Sequence, residues 1–122
     1  MNTELQYDKN KNLMTLKLHG PCNIHNLAEV FDEMEKHELR PGLKIFTDIT
    51  DADLKDTHFD SVSLLENKLE KFLDLYLPVR KAIVAESNLE FGIARMYEML
   101  AEKNGFDVNI FRDKSEAMKW LD

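Results

Sequence analysis

Residues 80–97 limit the possible folds of this chain more than any other segment, because they combine a short apolar strand, a tight turn and the start of a helix. The continuous apolar run 82–85 is typical of a central strand buried on both faces of a parallel sheet. Ser87 and Glu90 have the spacing of a capping box, in which each side chain accepts a hydrogen bond from the other residue's backbone N–H. The segment therefore predicts one strand-and-helix unit of an α/β fold.

An amino-terminal hairpin precedes this unit. Leu5, Tyr7 and residues 13–18 alternate apolar and polar positions around the polar stretch 8–12, which is the pattern of two half-exposed strands joined by a turn. We expect the glycine and proline at 20–21 to end the second strand.

Beyond the hairpin, strands and helices alternate. The first predicted elements are a helix ending near 38, a strand at 43–48, an acidic loop at 49–56 and a helix at 59–77. They are followed by a strand at 82–85, a helix at 89–104 with Gly105 as its carboxyl cap, and a strand at 108–111. A last helix starts at a second capping box, 113–116. This order predicts a mixed, mostly parallel five-stranded sheet with about four helices, in a single domain, 1–122.

Composition narrows the classes of partner and the cellular compartment. The formal net charge is −7 and no run of basic residues could follow a phosphate backbone, so we expect neither nucleic acid nor an anionic membrane surface as partner. A single cysteine excludes an intrachain disulfide, and the sequence has neither a signal segment nor a long apolar run. We therefore expect a protein of the reducing cytoplasm without stable membrane insertion.

Five segments together carry a resemblance to a known family. They are 44–48, 81–85, 91–95, 108–113 and 116–121. In these segments the chain resembles the SpoIIAA-like proteins, a bacterial family similar to the STAS domains of anti-sigma-factor antagonists and, more remotely, to CRAL-TRIO lipid-binding domains. The resemblance implies a STAS-like fold with a regulatory or protein-interaction role, and the remoter similarity implies an apolar ligand.

The resemblance also implies a place to look for a phosphoacceptor. STAS antagonists carry Asp-Ser-Ser-Gly at the start of the helix after the central strand, and the matching positions 56–59 read Asp-Thr-His-Phe here. Thr57 is the residue that phosphorylation would modify, because a phosphate is stabilised at a helix amino terminus. We favour the simpler interpretation that Thr57 is an N-cap.

No residue pattern indicates catalysis or a metal. His19, Cys22 and His25 are potential zinc ligands, but they lack an evident fourth ligand and match no standard spacing. The acidic stretch 49–56 lacks the features of a calcium loop. Capping accounts for Ser87, and no nucleophile elbow or phosphate loop is present. We expect no enzyme, no cofactor and no metal.

An apolar surplus on two helices carries the functional prediction. The helices at 59–77 and 89–104 hold more hydrophobic residues than one sheet-facing stripe needs, and the excess must pack against a partner, a ligand or the neighbouring helix. Arg95 could face an anion at the carboxyl edge of the sheet, but we favour a salt bridge to Glu98 or to an acidic residue of a loop. The predicted contact residues are Phe72, Tyr76, Phe91, Arg95, Met96 and Met99.

Two functions follow from this surplus. The first is a non-enzymatic interaction module that forms a homodimer or binds another protein through the helix surface or the loops at the sheet edge. The alternative is a carrier or sensor of a small apolar or lipid-like ligand, held between these two helices and the sheet.

Overall fold

The computed structural model describes residues 2–21, 24–55, 59–102 and 106–122, and for 2, 24–28, 59–62, 65 and 100–102 it describes the backbone only. These ranges contain five strands and four α-helices. In chain order they are β1 (Asn2–Asp8), β2 (Leu13–Pro21), α1 (Ile24–Glu35), β3 (Lys44–Asp53), α2 (Phe59–Leu73), β4 (Arg80–Val84), α3 (Asn88–Glu102), β5 (Asp107–Phe111) and α4 (Lys114–Leu121). The predicted α/β fold class is confirmed.

The strands lie in the sheet in chain order, β1-β2-β3-β4-β5. Only β1 is antiparallel to its neighbour, and the other pairs are parallel. Because parallel crossovers are right-handed, helices that join successive strands in one direction all fall on the same side of the sheet. The structure accordingly has a three-helix face, covered by α1, α2 and α3, and an α4 face.

The two faces differ in the size of their apolar cores. The three-helix face buries a large cluster in which Leu43 and Leu73 are fully inaccessible to solvent. On the α4 face the cluster is small and centres on Phe46, which is 1% exposed. The other buried members of the α4-face cluster are Leu13, Ala82, Val84, Ala117 and Leu121.

The prediction of an acidic loop at 49–56 is wrong for residues 49–53, because β3 continues to Asp53. β2 also runs past Gly20 to Pro21, so that Gly20 pairs with Ala52 and Pro21 with Asp53. Gly20 adopts φ +74°, a conformation that glycine tolerates and that keeps β2 beside β3. Hydrogen bonding to a neighbouring strand thus outweighs the polar composition of the segment.

A bulge in β3 accommodates this longer pairing. Lys17 pairs with Asp48 and His19 with Asp51, so β3 has one residue more than β2 between these pairs. The Asp48 carboxylate accepts hydrogen bonds from the backbone N–H of Thr50 at 2.9 Å and from its hydroxyl at 2.7 Å. The Asp51 carboxylate lies 3.3 Å from Nζ of Lys17, so it is held on the sheet rather than in a loop.

The predicted helix at 59–77 is also shorter in the structure. α2 ends at Leu73 and is followed by a single 3₁₀ turn, Asp74–Tyr76. Leu77 has extended backbone angles, φ −62° and ψ 147°, because the residue before a proline is disfavoured in the helical region. The chain is therefore extended just before Pro78, and the two apolar residues that precede Leu77 lie in the 3₁₀ turn.

Both predicted helix starts are present. Ser87 N–H donates to Oε2 of Glu90 at 2.8 Å and Glu90 N–H donates to Oγ of Ser87 at 3.2 Å, which confirms the capping box of α3. Asp113 is the N-cap of α4 and accepts from the N–H of Ser115 at 2.9 Å. The predicted carboxyl cap at Gly105 lies outside the described residues. Within the described ranges, every helix is too short or too polar to cross a membrane.

Candidate functional site

The six predicted contact residues do not form one surface. Phe72 and Tyr76 are partly buried, with ring centroids 5.7 Å apart, and they pack against the core of the three-helix face. Met96 is partly buried on α3, and Met99 is 66% exposed. Phe72 and Tyr76 therefore belong to the packing between helices and sheet, whereas Met99 faces solvent.

Arg95 has the partner that the sequence favours. Its Nη1 lies 3.4 Å from Oε1 of Glu98, one helical turn further along α3. The Arg95 guanidinium also lies 6.0 Å from the centroid of the Phe91 ring. The ion pair is largely exposed on the arginine side, so it contributes little to the free energy of unfolding.

A second arginine, absent from the sequence prediction, also lies over Phe91. The Arg112 guanidinium lies 4.5 Å from the centroid of the Phe91 ring. Its Nη1 donates to the carbonyl oxygen of Glu86 at 2.7 Å and its Nη2 to Oδ1 of Asn88 at 3.3 Å. Arg112 thus ties the end of β5 to the turn before α3, which is a structural role.

α3 presents a row of small and apolar residues to solvent, which we call the outer stripe. It consists of Leu89, Gly92, Met96 and Met99, at the i, i+3, i+7 and i+10 spacing of one helix side. Leu89 is 50% and Met99 66% exposed, which is unusual for two large apolar side chains on one helix.

No contact or backbone conformation within the described part of the chain requires a glycine at position 92. A Cβ added at this position would meet no atom within 4 Å, and its backbone has ordinary helical geometry. Glycine in a helix interior costs about 1 kcal/mol relative to alanine. The glycine therefore leaves open space in the middle of the outer stripe at a cost to the helix.

The opposite side of α3 meets a group of polar residues that we call the interior polar cluster. It consists of Glu66 on α2, Lys81 on β4 and Tyr97 on α3. Glu66 is 2% and Tyr97 6% exposed. Nζ of Lys81 lies 3.4 Å from the Tyr97 hydroxyl and 4.5 Å from the centroid of the Tyr97 ring.

Burial dominates the electrostatics of this cluster. Desolvation lowers the pKa of Lys81 to about 8, although the residue as a whole keeps part of its surface accessible, and the negative charge of Glu66 opposes this shift. Burial raises the pKa of Tyr97, and the charge of Glu66 raises it further. Tyr97 therefore stays protonated at neutral pH, while a fraction of Lys81 loses its proton.

Thr47 is a further buried polar residue on the same side of the sheet. It is 5% exposed, and its Oγ1 has no hydrogen-bond partner among the described residues. Ile45 pairs with Lys81 and Thr47 pairs with Ile83, so Thr47 lies two pairs further along the same two strands. Buried hydroxyls without a partner are rare in proteins, and they often mark a site that a water or a ligand occupies.

The interior polar cluster was not predicted from the sequence, although the sequence carries its signal. Lys81 shares its side of β4 with Val79 and Ile83, so the alternation of the strand points its side chain at the core. Glu66 precedes Leu69 and Leu73 by three and seven residues, which places a carboxylate in the apolar stripe of α2. The sequence signal of this cluster is therefore one charged residue at a core position of β4 and another at a core position of α2.

The remaining predicted sites fall partly outside the described residues. Thr57 and Cys22 lie there, as does the side chain of His25. Nε2 of His19 lies 3.5 Å from a carboxylate oxygen of Glu4. Across the part of the chain that the structure describes, no group of three or more His, Cys, Asp or Glu residues is arranged to hold a metal ion.

Comparison of the chain with models of known protein families finds no match, and comparison with curated proteins finds none either.

Proposed function

We propose that the protein is a non-enzymatic, STAS-like regulatory module of a bacterial cytoplasm that pairs with a second copy of itself through the outer stripe of α3. The observation that carries this proposal is the exposure of Leu89 and Met99 on the same side of one helix. Exposed apolar side chains in a row are typical of surfaces that a partner covers, because their burial is favourable only when another molecule excludes water.

Gly92 supports a helix as the surface that covers the stripe. The open space above it would let a partner backbone approach more closely than a side chain would allow. Met96 and Met99 flank this space with flexible side chains that adapt to a partner surface. A small residue between two adaptable ones is a suitable centre for packing between two helices.

The ion pair beside the stripe favours a second copy over a strongly charged partner. Arg95, whose side chain is 61% exposed, is paired with Glu98, whose side chain is 13% exposed. A two-fold interface places the same patch on both subunits, and the nearby Glu98 carboxylate reduces the repulsion between the two arginines. The net charge of −7 acts against pairing at long range, so pairing should strengthen as salt is added.

Sedimentation equilibrium of the full chain over a wide concentration range tests this proposal. We expect a dimer whose dissociation constant rises at least about tenfold, or about 1.4 kcal/mol, in the double variant Leu89→Glu, Met99→Glu, because it would bury two carboxylates from each subunit in the interface. Leu75→Glu is the matched control, since Leu75 is 76% exposed but lies on the 3₁₀ turn after α2.

Two results would overturn the proposal. One is a monomer at every concentration tried, at both low and high salt. The other is an equal loss of pairing in the double variant and in Leu75→Glu, which would separate pairing from the outer stripe.

The carrier function stays a prediction of the sequence and gains one constraint. A ligand held between α2, α3 and the sheet would meet the interior polar cluster, with Glu66 and Tyr97 both buried there. A ligand with a polar group fits this place better than a purely apolar one, because a polar group can hydrogen-bond to these buried side chains. Solvent extraction and native mass spectrometry of protein from its own cells would show a bound lipid if the carrier function is correct.

A further inference from the structure

We infer that the interior polar cluster is a binding site for a small uncharged aldehyde or ketone, held as a reversible imine on Lys81. This site is separate from the outer stripe and requires no turnover. It lies on the inner side of α3, under the helices of the three-helix face.

The geometry places an amine and a hydroxyl side by side in an apolar wall. Nζ of Lys81 is 3.4 Å from the Tyr97 hydroxyl and lies over the ring of the same tyrosine. The neighbouring positions Val79 and Ile83 are 1% and 5% exposed. The Lys81 amine itself is desolvated, whereas the residue as a whole keeps part of its surface accessible, so a small neutral molecule would approach the amine along the accessible part of the residue.

Imine formation needs a neutral amine. With the pKa of Lys81 lowered to about 8, about a tenth of the side chain is unprotonated at pH 7, against well under a hundredth for an ordinary lysine. Lysines activated in this way, by desolvation in an apolar site, are the ones that form imines with carbonyl compounds.

The other side chains can assist the reaction by hydrogen bonding and charge. The neutral Lys81 amine attacks the carbonyl carbon, the C=O bond is replaced by a C=N bond, and the two amine hydrogens leave with the carbonyl oxygen as water. The Tyr97 hydroxyl, which stays protonated at neutral pH, lies within reach to donate a hydrogen bond to that oxygen, and the protons are exchanged with water. The Glu66 carboxylate stabilises the positive charge that develops on nitrogen.

Thr47 is an independent observation that points to a ligand on this side of the sheet. Its buried hydroxyl has no partner among the described residues and lies two residue pairs from Lys81 along the same two strands. A carbonyl oxygen, or the hydroxyl of the intermediate that it becomes, can accept a hydrogen bond from Thr47. Glu66 disfavours a ligand with its own carboxylate, since like charges in a buried site repel strongly.

Reductive trapping tests this inference directly. The folded full chain is incubated with propionaldehyde and cyanoborohydride at pH 7 for short times, and peptide mass mapping then gives the rate of alkylation at each lysine. We expect Lys81 to react at least tenfold faster than Lys55 and Lys114, which are exposed. Unfolding the chain in denaturant should abolish the difference, because it removes the desolvation.

Three further measurements distinguish a site from an isolated reactive amine. Glyoxylate, a small aldehyde with a carboxylate, should modify Lys81 more slowly than propionaldehyde does, relative to Lys55. Tyr97→Phe keeps the ring but removes the hydroxyl, so it should slow the modification of Lys81. Glu66→Gln should move the midpoint of the pH profile of Lys81 modification below about 8, because the opposing charge is gone.

The inference is overturned if Lys81 in the folded wild-type chain reacts no faster than Lys55 and Lys114. Equal effects of glyoxylate and propionaldehyde, or an unchanged rate in folded Tyr97→Phe, would also overturn it, since the amine would then act without its neighbours. Circular dichroism confirms that each variant is folded. The same trapping in the Leu89→Glu, Met99→Glu chain keeps this test independent of pairing.

Discussion

Each side of α3 carries residues that an ordinary amphipathic helix would place on the other side. On the inner side Glu90 and Tyr97 are each 6% exposed, whereas on the outer side Leu89 and Met99 are half or more exposed. Surface helices usually bury apolar residues and expose polar ones. In α3 both departures occur within the same four turns of helix.

The helix on the other face of the sheet shows the ordinary arrangement. α4 buries Ala117 and Leu121 against the sheet and leaves Lys119 exposed. Folding alone therefore explains α4 but not α3. The capping box explains the burial of Glu90. The residues of α3 whose placement folding does not explain are those of the outer stripe and Tyr97.

The largest expected effect is a difference in the free energy of unfolding between substitutions on the inner and outer sides of α3. Tyr97→Ala should lower the free energy of unfolding by about 3–5 kcal/mol, the range for removing a large buried aromatic side chain. Met99→Ala, on the outer side, should change it by less than about 0.5 kcal/mol in the monomer. Urea denaturation of both variants at a concentration too low for pairing measures the difference, and similar losses in the two would contradict the assignment of sides.

The next effect concerns the charge on the inner side. Lys81→Met should raise the free energy of unfolding at pH 7 by about 1–2 kcal/mol, because burial disfavours the charged amine and the partial access of the residue to solvent reduces the penalty. Lys55→Met is the control, since the Lys55 side chain is 77% exposed.

This advantage of Lys81→Met should shrink between about pH 8 and pH 10. The pKa of Lys81 is about 8 in the folded chain and 10.5 in the unfolded one, so the unfolded wild type binds more protons in this window and its stability rises with pH. Above about pH 10 the raised pKa of Tyr97 acts against stability in both chains. Denaturation curves at several pH values measure the gap, and a gap that stays constant would contradict the lowered pKa.

The smallest expected effect sharpens the interpretation of the outer side. Gly92→Ala should raise the free energy of unfolding of the monomer by about 0.5–1 kcal/mol, because alanine favours the helix and meets no other atom there. If a partner helix packs over Gly92, the same substitution should weaken pairing several-fold. Denaturation and sedimentation measure the two quantities separately.

Gly42→Ala is the matched control for this substitution. Gly42 has φ +83°, so alanine is strained there and should lower the stability instead of raising it. A Gly92→Ala chain that gains stability but pairs as well as the wild type would remove the glycine from the proposed interface.

Local patterns account for most of what the sequence predicts correctly. The hairpin around the polar turn, the apolar strand 82–85 and the capping box at Ser87 depend on residues within a few positions of each other. The order of these elements, together with the handedness of parallel crossovers, is enough to predict the sheet with its helices. Each of these features can be determined without knowing what lies across the fold.

The features that the sequence missed depend on distant neighbours. β3 extends to Asp53 because β2 continues beside it, and α2 ends at Leu73 although its apolar pattern runs on. Glu66, Lys81 and Tyr97 come from three elements and meet only because the sheet register and the packing of α2 and α3 bring them together.

The sequence by itself thus determined the class of fold, the order of its elements and the starts of α3 and α4, since backbone periodicity and capping are local properties. Only the tertiary structure decided which side of α3 faces solvent and which charged residues become buried. Burial is the physical reason, because the desolvation that shifts the pKa of Lys81 and the exposure that leaves Met99 uncovered both depend on atoms far away in the chain.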